Sequence, residues 1–473
     1  MERLERLFLQ TTGKRAESII PLTPSGSNRQ YFRLRTGSVS QVGVLGTSLD
    51  ENMAFVAIDR HMRAKGLAVP EVYAVSDDNS CYLQEDLGDT LLYDMLKGRV
   101  SSYMDMAAMA LRQLPRLQFL SAEGLDFNKC YPVPSLDIRS VMWDLNYFKY
   151  CFVKGTGIDF SEPQLEDDFE HLAGILLSEQ SDTFLYRDFQ SRNVMVKDGI
   201  PYFIDFQGGR RGPIFYDVAS FLWQASAGFT DKQRDMLIDA YLEALQPFRT
   251  MDKTTFMAHL RYFVLFRLLQ VLGAYGFRGL FERKAYFLQG IPLIMDSLRH
   301  ELEIGFDGLP YLMSLLERIV SLSRFKRVMK PEGLTVDVCS FSYRRGIPED
   351  TSGNGGGFVF DCRAIHNPGR YDQYKSFTGH DAPVVTFLDA TEGMTYFLQQ
   401  VYNLVDQSVD RYLDRGFDHL SVSFGCTGGQ HRSVYAADHL AAHLMEKYPQ
   451  VTTRLTHREQ PHLSDEQGKD VAI

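Results

Sequence analysis

One interruption in a long helical pattern constrains the fold of this chain more than any other feature of the sequence. From Thr90 to Phe325 apolar residues recur at three- and four-residue spacing, which is typical of helices packed on one face. Between Phe184 and Phe206 this spacing gives way to two short apolar strands around a polar loop. Upstream, from Ser25 to Asp89, short strands surround one predicted helix, Glu51 to Lys65. The pattern therefore predicts a small β lobe followed by a large helical lobe that carries one hairpin.

The spacing changes again after a predicted linker. The basic segment Ser321 to Lys330 ends a helix, and the sequence Pro331-Glu332-Gly333 breaks the chain. Beyond it strand-like runs alternate with amphipathic segments, as in an α/β domain. We expect short apolar or alternating runs at Thr335–Phe341, Phe358–Asp361, Val384–Leu388 and Leu420–Phe424, with helices at Thr395–Leu413 and Ser433–Tyr448. The predicted boundaries are 1–325 for a two-lobed domain (lobes 1–88 and 89–325), 326–334 for the linker and 335–473 for a separate α/β domain.

Composition excludes several classes of protein. The 473 residues are 44% hydrophobic and 23% charged, which excludes disordered and coiled-coil proteins. The most apolar stretch, Tyr262 to Phe277, contains Arg267 and is shorter than the ~20 residues of a membrane span, so it predicts a buried helix. Six cysteines without a CxxC pair, and an N-terminus without signal-peptide features, predict a cytoplasmic protein. The formal net charge of −10 argues against a nucleic-acid surface.

The hairpin carries the first group of residues with a chemical pattern. Asp188 and Asn193 are five residues apart in the polar loop, and Asp205 ends the apolar strand that follows. Phosphoryl transfer to a hydroxyl needs a carboxylate that accepts the hydroxyl proton, and oxygen ligands that hold Mg²⁺ against the nucleotide phosphates. Asp188 is therefore the candidate base, Asn193 and Asp205 are candidate metal ligands, and Asp217 is a candidate buttress of the loop. The alternative interpretation is that these residues only form a turn and a strand-end cap.

This segment resembles the hairpin of the aminoglycoside phosphotransferase/choline kinase superfamily, whose loop reads H-x-D-x-x-x-x-N and is followed by I-D-[FWY]. Tyr186 occupies the position of the usual histidine. Within the superfamily the chain looks most like the anomeric N-acetylmuramate and N-acetylglucosamine kinases. The segments that carry this resemblance are SGSNRQYFRL, ENMAF, VPEVYA, LQEDLGD and DLNYFKYCF. The resemblance implies a protein-kinase-like α+β fold, ATP and Mg²⁺ as cofactors, and an amino-sugar hydroxyl as acceptor. It also places Asp144 near the sugar hydroxyls, with a solvated helix face as the alternative.

The same resemblance assigns residues to the nucleotide. The turn over the nucleotide phosphates would comprise Ser25, Gly26, Ser27, Asn28 and Arg29. Taken alone, the sequence SGSN is also a common hairpin turn. Gln84 and Glu85 would form the hinge that meets adenine. No lysine occurs between Tyr31 and Asp50, where many relatives place a phosphate-pairing lysine, so Arg33 is a candidate substitute.

A second pattern lies at a predicted strand-to-helix junction of the α/β domain. Phe424 to Ser433 reads FGCTGGQHRS between an apolar strand and an amphipathic helix. Glycines at such a junction expose backbone N–H groups beside a helix N-terminus, and His431 and Arg432 add donors for a phosphate on a small molecule. Cys426 to Ser433 also fits C-x-x-G-x-x-R-S, the loop of cysteine-dependent phosphatases. A nucleophilic thiolate and an inert binding loop therefore both stay open.

With SFSYRRGIP, FVFDCRAIHNP and FTGHDAPV, this loop resembles the C-terminal domain of the RNase adapter protein RapZ over about residues 335–460. That domain binds glucosamine-6-phosphate and takes part in small-RNA and protein contacts. The phosphate would be held by Cys426, Thr427, Gly428, Gly429, Gln430, His431, Arg432 and Ser433. The sugar side would be lined by Asp361, Arg363 and Asn367. A surface ion pair is the alternative for the first two of these, and His457 and Arg458 are further candidates.

Together these expectations describe a cytoplasmic chain of cell-wall recycling. An ATP- and Mg²⁺-dependent sugar kinase would be joined to a domain that binds a phosphorylated amino sugar, and regulation of the kinase by that domain stays open. The expected partners are small molecules; no membrane is expected, while nucleic acid is disfavoured but stays open, as does self-association. Two alternatives remain, a catalytically weak adapter or sensor of amino-sugar metabolism and a kinase fused to a cysteine-dependent phosphatase.

Overall fold

The computed structural model describes residues 1–22, 29–98, 100–225, 227–322, 325, 333–348, 357–415 and 417–460, except for the side chains at 285, 286 and 289. The described chain forms two compact units, each with its own hydrophobic core. The first unit comprises Met1–Arg283 and Gly290–Lys326, and the second comprises Lys284–Gln289 and Arg327–Ile473. Residues 326–332 of the predicted linker lie outside the described residues.

An antiparallel sheet in the order β1-β2-β3-β5-β4 forms the first lobe. Its elements are α1 (Glu2–Thr12), β1 (Ser18–Leu22), β2 (Gln30–Thr36), β3 (Val39–Leu45), α2 (Leu49–Ala64), β4 (Val72–Val75) and β5 (Cys81–Glu85). Leu34 and Leu83 pack on one face of the sheet against Leu4 and Phe8 of α1. The predicted strands and helix of this lobe are confirmed. The sequence does not predict β1 and β4, which are short and lack a clear apolar alternation.

The second lobe is helical and contains two small antiparallel pairs of strands, β6-β9 and β7-β8. Its helices are α3 (Leu92–Lys97), α4 (Tyr103–Ala122), α5 (Ile138–Phe148), α6 (Lys154–Thr156), α7 (Glu162–Leu177), α8 (Phe215–Leu222), α9 (Asp231–Leu245), α10 (Lys253–Tyr275), α11 (Ala285–Ile304) and α12 (Pro310–Val320). Its strands are β6 (Thr183–Leu185), β7 (Val194–Lys197), β8 (Ile200–Phe203) and β9 (Arg210–Gly212). The short strands and the polar loop predicted at Phe184–Phe206 are present, but the strands on either side of the loop do not form one hairpin: β6 pairs with β9 and β7 pairs with β8, and the polar loop lies between β6 and β7.

Helix α10 contains the most apolar part of the sequence. Among the described residues it is the one helix, counted to Phe281 with the turn that follows it, that is long and apolar enough to cross a membrane. Of its most apolar window 61% is buried inside the fold, as in the core helix of a globular domain. Leu260, Phe263 and Leu269 are almost completely enclosed by neighbouring helices. The predicted buried helix is therefore confirmed.

The second unit is a parallel sheet in the order β11-β12-β10-β13 with helices between its strands. Its elements are β10 (Thr335–Ser342), β11 (Gly357–Asp361), α13 (Ala382–Asp389), α14 (Glu392–Arg415), β12 (His419–Cys426), α15 (Arg432–Lys447) and β13 (Thr452–His457). The predicted fold class, a two-lobed kinase-like domain and a separate α/β domain, is confirmed. Because carboxyl ends of parallel strands meet at one edge, the ends of β10, β11 and β12 lie together.

One predicted run in this unit is wrong. Val384–Leu388, predicted as a short apolar run among strands, lies in the helix α13. Val384 and Leu388 are four residues apart and both are buried, which is a helical spacing, and Pro383 occupies the first turn, where helices tolerate proline. A five-residue apolar run does not by itself distinguish a strand from a short helix.

Candidate functional site

The polar loop after β6 is held by a buried carboxylate. Asp217, in α8, accepts the backbone N–H of Tyr186 at 2.8 Å and that of Arg187 at 2.9 Å. Burial raises the pKa of Asp217 to about 7, although both N–H groups act in the opposite direction. Arg187 has a φ of +75°, a conformation that side-chain-bearing residues rarely adopt, so these bonds also offset backbone strain just before Asp188. The hydrogen bonds expected of Asp217 are thus present.

Two further contacts set the rest of the loop. Asn193 Nδ2 donates to the backbone carbonyl of Asp188 at 2.8 Å. Within the described part of the chain Asn193 Oδ1 accepts no hydrogen bond, which leaves this oxygen for a ligand. The N–H and hydroxyl of Ser191 both donate to Gln224 Oε1, at 3.1 and 2.7 Å. The Asp188 side chain is 44% exposed, so its carboxylate can meet a substrate hydroxyl.

Asp205 follows β8 with a φ of +67°. Gln207 Nε2 donates to Asp205 Oδ1 at 2.6 Å. Burial raises the pKa of Asp205, and the negative charge of Asp188 raises it further. The Tyr186 hydroxyl donates to the carbonyl of Ile204, the residue before Asp205. Tyr186, at the position of the usual histidine, therefore ties the polar loop to the segment that carries the second aspartate.

The carboxylate and amide oxygens in this region are suitable ligands for a hard divalent cation. Two mutually repelling carboxylates, Asp188 and Asp205, are stabilised in their charged forms when a cation lies beside them. No group of three or more His, Cys, Asp or Glu side chains in the described ranges is placed to hold a metal without other ligands. Mg²⁺ commonly takes only one or two carboxylates and completes its shell with water and substrate phosphates. Asn193 and Asp205 are its predicted ligands.

A cavity of about 230 Å³ lies beside Asp188. It is lined by Glu51, Tyr131, Pro132, Ser140, Trp143, Asp144, Arg187, Asp188, Gln207, Gly208 and Arg210. Asp144 Oδ1 lies 3.3 Å from Arg187 Nη2, and Asp144 Oδ2 accepts a hydrogen bond from Gln270 Nε2 at 2.9 Å. The Asp144 side chain is only 13% exposed, so it does not lie on a solvated helix face. The fold brings Asp144 and Asp188 to the same cavity.

Four residues of this cluster are not predicted by the motif: Arg187, Gln224, Arg267 and Gln270. Arg267 Nη2 lies 4.0 Å from Asp188 Oδ1, and Arg267 Nε donates to Ser220 Oγ at 3.1 Å. Arg267 Nη1 also donates to Gln270 Oε1. The sequence did contain a signal for Arg267, because a single charge inside the apolar stretch Tyr262–Phe277 needs buried polar partners.

The residues expected around the nucleotide phosphates divide into two groups. Outside the described residues lie Ser25, Gly26, Ser27 and Asn28. Arg29 is 3% exposed, and its Nη2 lies 3.5 Å from Glu51 Oε1 on α2. The positive charge of Arg29 opposes the rise in the pKa of Asp205, so the guanidinium acts on the predicted metal site. Arg29 thus connects the β lobe, α2 and Asp205.

Arg33 has a different environment. Its guanidinium donates to Asp86 Oδ1 at 3.0 Å, to Asp89 Oδ2 at 3.1 Å and to the carbonyl of Gly88 at 3.0 Å. The Arg33 side chain is 8% exposed. Protein groups therefore occupy Arg33 in this conformation, and its role as a substitute for the phosphate-pairing lysine stays a prediction.

The two predicted hinge residues end strand β5. The backbone N–H of Glu85 donates to the carbonyl of Glu71 at 2.8 Å. The Glu85 carboxylate lies 2.6 Å from Lys197 Nζ on β7. Gln84 is 9% exposed, and no described residue donates to its buried Oε1. The hinge position joins the lobes, while contact of Gln84 or Glu85 with adenine stays a prediction.

The second predicted site is a loop at the carboxyl ends of the parallel strands, between β12 and α15. The Gly429 N–H donates to Cys426 Sγ at 3.2 Å, and Ser433 Oγ lies 3.1 Å from the same sulfur. Burial alone would raise the pKa of Cys426, but donors on Ser433 and Gly429 and the charge of Arg432 outweigh it, so the pKa is lowered. The surroundings of Cys426 favour the thiolate.

The next three residues of this loop bond to neighbouring backbone. Gln430, His431 and Arg432 all donate to carbonyl groups of the segment 363–377. Arg432 is 4% exposed, and its Nη1 donates to two of these carbonyls at 3.0 and 2.8 Å. No described residue accepts a hydrogen bond from Arg432 Nε. These hydrogen bonds hold the loop against the segment 363–377.

The residues predicted to line the sugar side lie around the same edge. Asp361 is the register partner of Gly425, next to Cys426, at the end of β11. Its carboxylate forms an exposed ion pair with Arg363 at 2.6 Å, as in the alternative interpretation. Asn367 Oδ1 accepts the N–H of Gly369 and so caps a short turn. The exposed tip of the loop itself comprises Thr427 and Gly428.

Two residues beneath the loop are not predicted as part of the site. Ser342 Oγ, at the end of β10, donates to the Thr427 carbonyl at 2.8 Å. The Glu459 side chain lies against Gly429, where a Cβ would meet Glu459 Cγ at 2.4 Å. Gly429 also has a φ of +66°, so two constraints require glycine there. His457, in contrast, is buried inside the unit and is only 1% exposed.

Comparison with protein families supports both resemblances. Residues 18–253 match the phosphotransferase enzyme family. Residues 334–461 match the RapZ C-terminal domain. The closer similarity to anomeric amino-sugar kinases stays a prediction.

Among curated relatives, a nucleotide-binding protein of Fervidobacterium nodosum is 29% identical over 194 residues, which are 38% of this chain and 66% of that protein. A nucleotide-binding protein of Dinoroseobacter shibae is 40% identical over 121 residues, which are 26% of this chain and 39% of that protein. The chain thus spans between about two-fifths and two-thirds of the length of these relatives.

Solved structures of low sequence identity are also similar to this chain. A choline kinase from Cryptosporidium parvum is 13% identical, with a TM-score of 0.44, over 63% of this chain and 93% of that chain. A choline/ethanolamine kinase family protein from Mesorhizobium loti is 12% identical, with a TM-score of 0.43, over 64% and 92%. Residues 18–253 of this chain are thus similar to the phosphotransferase enzyme family, and residues 334–461 are similar to the RapZ C-terminal domain.

Proposed function

We propose that the first unit transfers the γ-phosphoryl group of ATP to the anomeric hydroxyl of an amino sugar of the N-acetylmuramate or N-acetylglucosamine type. The second unit would bind a phosphorylated amino sugar. The phosphotransferase-family match of residues 18–253 supports a kinase with an alcohol acceptor. The resemblance of both units to proteins of amino-sugar metabolism supports the choice of sugar.

One observation carries the kinase proposal: Asp188 and Asp144 line the same cavity. A sugar bound there would present one hydroxyl to Asp188, which accepts its proton as the oxygen attacks phosphorus. Asp144, oriented by Arg187 and Gln270, would accept hydrogen bonds from other sugar hydroxyls or from the amide N–H. A base and a positioning carboxylate in one cavity of this size are what a sugar kinase needs.

Positive charges also surround the candidate base in this proposal. Arg267 Nη2 lies 4.0 Å from Asp188 Oδ1 and adds a positive charge beside the carboxylate. Arg29, held by Glu51, would pair with a phosphate oxygen of the nucleotide. Mg²⁺ held by Asn193 and Asp205 would neutralise negative charge on the phosphates.

The direct test is a ³¹P-NMR screen of the full chain with ATP, Mg²⁺ and a panel of amino sugars. We expect a new phosphomonoester resonance whose coupling to the anomeric proton identifies the phosphorylated position. Bound nucleotide without transfer to any sugar would instead indicate the adapter alternative.

The assignment of the base is tested with Asp188→Asn. This change should reduce transfer by ~10²-fold or more while the circular dichroism spectrum stays unchanged, because Asp188 is half-exposed. Asp198→Asn is a matched control, since Asp198 lies exposed in the turn between β7 and β8. Unchanged turnover in Asp188→Asn would contradict the assignment.

Phosphosugar binding by the second unit is supported by the loop that follows β12. Backbone N–H groups beside the N-terminus of α15 would bind the phosphate at the sheet edge, with the positive charge of the buried Arg432 behind them. We expect glucosamine-6-phosphate to bind the full chain in a calorimetric titration. Thr427→Glu, which adds a carboxylate at the exposed tip, should weaken binding much more than Thr427→Gln. Equal affinities of both variants would place the ligand elsewhere.

A second candidate function rests on Cys426, whose thiolate is favoured by its surroundings. As a nucleophile it would attack phosphorus and release the sugar alcohol, which takes a proton from water. A second water would then cleave the P–S bond, yield inorganic phosphate and restore the thiolate. Phosphate release from glucosamine-6-phosphate that is lost in Cys426→Ser would support this function. Binding without any hydrolysis would leave a sensor domain.

A further inference from the structure

A row of exposed aromatic side chains begins at the acceptor cavity and leads away from it. Trp143 lines the cavity and is 52% exposed. Tyr147, four residues further along α5, lies on the same helix face and is 38% exposed. Its ring centroid is 6.0 Å from that of Phe277, which lies 6.3 Å from the ring of Phe281. Phe277 and Phe281 are 38% and 57% exposed, so all four rings are open to solvent.

Exposed aromatic residues that adjoin one another in this way indicate a binding surface more often than scattered ones do. The turn that carries Phe277 and Phe281 also carries Arg278, Glu282 and Arg283, so charged side chains border that end of the row. A sugar is favoured as the ligand because the other end of the row, at Trp143, lies in the lining of the acceptor cavity.

The size of the cavity determines where a larger acceptor must go. At about 230 Å³ it is smaller than the ~300–1,000 Å³ of most small-molecule sites, so it has room for little more than one sugar ring. A second ring linked to the first would leave the cavity beside Trp143. The C–H faces of a pyranose are apolar, and they pack well against an aromatic face such as those of Trp143 and Tyr147.

We infer that Trp143, Tyr147 and Phe277 form a second sugar subsite, and that the acceptor is an amino-sugar oligosaccharide whose reducing-end ring occupies the cavity. This inference rests on the proposed function, because it takes the anomeric hydroxyl of that ring to face Asp188. The second ring lies on Trp143 and Tyr147, and a third would reach Phe277. The aromatic row then sets the preferred length of the substrate.

The test compares N-acetylglucosamine with its β-linked disaccharide, N,N′-diacetylchitobiose, in calorimetric titrations of the full chain. We expect the disaccharide to bind about two- to tenfold more tightly, because its second ring would add a stacking contact with an aromatic face. Tyr147→Ala does not alter the cavity lining, so it should reduce this preference without weakening monosaccharide binding, whereas Phe277→Ala should weaken only binding of the β-linked trisaccharide. Tyr396→Ala, an exposed aromatic of the second unit, is the control that should change neither affinity.

Equal affinity for the two sugars in the unaltered chain, or a preference that Tyr147→Ala leaves unchanged, would overturn the subsite. The ³¹P-NMR assay separates this result from failure of the proposed function. Phosphorylation of the monosaccharide without a disaccharide preference overturns only the subsite. A preference that Tyr147→Ala reduces, without any phosphorylation, supports the subsite and contradicts the kinase, whereas binding of neither sugar overturns both.

Discussion

Arg187 Nη2 lies 3.3 Å from Asp144 Oδ1 in the wall of the cavity that also contains Asp188. Burial alone would lower the pKa of Arg187, but the Asp144 carboxylate raises it overall, so the guanidinium stays charged. Arg187 immediately precedes Asp188 in the chain. This one ion pair therefore links helix α5, on the acceptor side, to the loop that carries the candidate base.

Substitution of Asp144 by asparagine should weaken acceptor binding without affecting ATP. The change removes the partner of a buried arginine and the acceptor of sugar hydrogen bonds, so the KM for the sugar should rise about tenfold or more. Steady-state kinetics with each substrate varied in turn measures both constants. Asp105→Asn, an exposed aspartate of α4, is the control. An unchanged sugar KM would remove Asp144 from the acceptor site.

Arg33 lies on β2, and Arg29 lies just before that strand. Replacement of each by methionine should have a different effect. Arg29→Met should raise the Kd for ATP, because Arg29 lies near Asp205 and would meet the phosphates. Arg33→Met should mainly lower the thermal midpoint, because Asp86 and Asp89 lose their partner. Calorimetric ATP titration and thermal unfolding of both variants distinguish the roles. Weaker ATP binding in Arg33→Met alone would make Arg33 the substitute for the lysine.

Asp59, buried in α2, should make the protein less stable as the pH rises from about 4 to 7. Burial raises its pKa to about 7, so across this range the unfolded chain loses a proton that the folded chain retains. The destabilisation is complete above the pKa that Asp59 has in the folded chain. Each pKa unit between the folded and unfolded chains changes the free energy of unfolding by ~1.4 kcal/mol. Asp59→Asn should therefore raise the thermal midpoint more at pH 8 than at pH 5. Exposed Asp77→Asn is the control, and an equal effect at both pH values would exclude this contribution.

The thiol of Cys426 should lose reactivity when its hydroxyl partner is removed. Ser433 Oγ lies 3.1 Å from the sulfur and helps to lower the pKa of Cys426. In Ser433→Ala the pKa should rise, so alkylation by iodoacetamide at neutral pH should slow. Mass spectrometry of the Cys426 peptide across a pH series measures this change. Cys339, whose pKa burial raises, is an internal reference that should not respond.

The sequence predicted the chemically important residues of both sites better than it predicted the residues that surround them. The spacing of Asp188, Asn193 and Asp205 around two short strands predicted the polar loop and the strands beside it, because local patterning determines strands and turns, but it did not predict that β6 pairs with β9. It did not reveal that Arg267, 79 positions after Asp188, would lie 4.0 Å from it. Partners so far apart in sequence meet only when helices pack, and no local pattern encodes that contact.

Arg33 illustrates the same limit. As a cation on a strand of the β lobe it is a reasonable phosphate ligand by residue type alone. Three acceptors from the Asp86–Asp89 turn surround its guanidinium, and the pairing of β3 with both β2 and β5 puts that turn within reach. The helix α13 was not predicted for a related reason. Val384 and Leu388 are buried on one helix face because of the core against which they pack, and the short local pattern does not encode that core.

By itself the sequence determined the two-lobed kinase-like domain, the α/β domain and the loops that carry Asp188 and Cys426, because periodicity, glycines and turn residues act over a few neighbouring positions. Only the tertiary structure decided that Asp144 and Asp188 line one cavity, that Arg267 lies beside Asp188, and that exposed aromatic rings follow Trp143. Those relationships join helices and strands distant in sequence, and close packing of the core is what brings them within hydrogen-bonding or stacking distance.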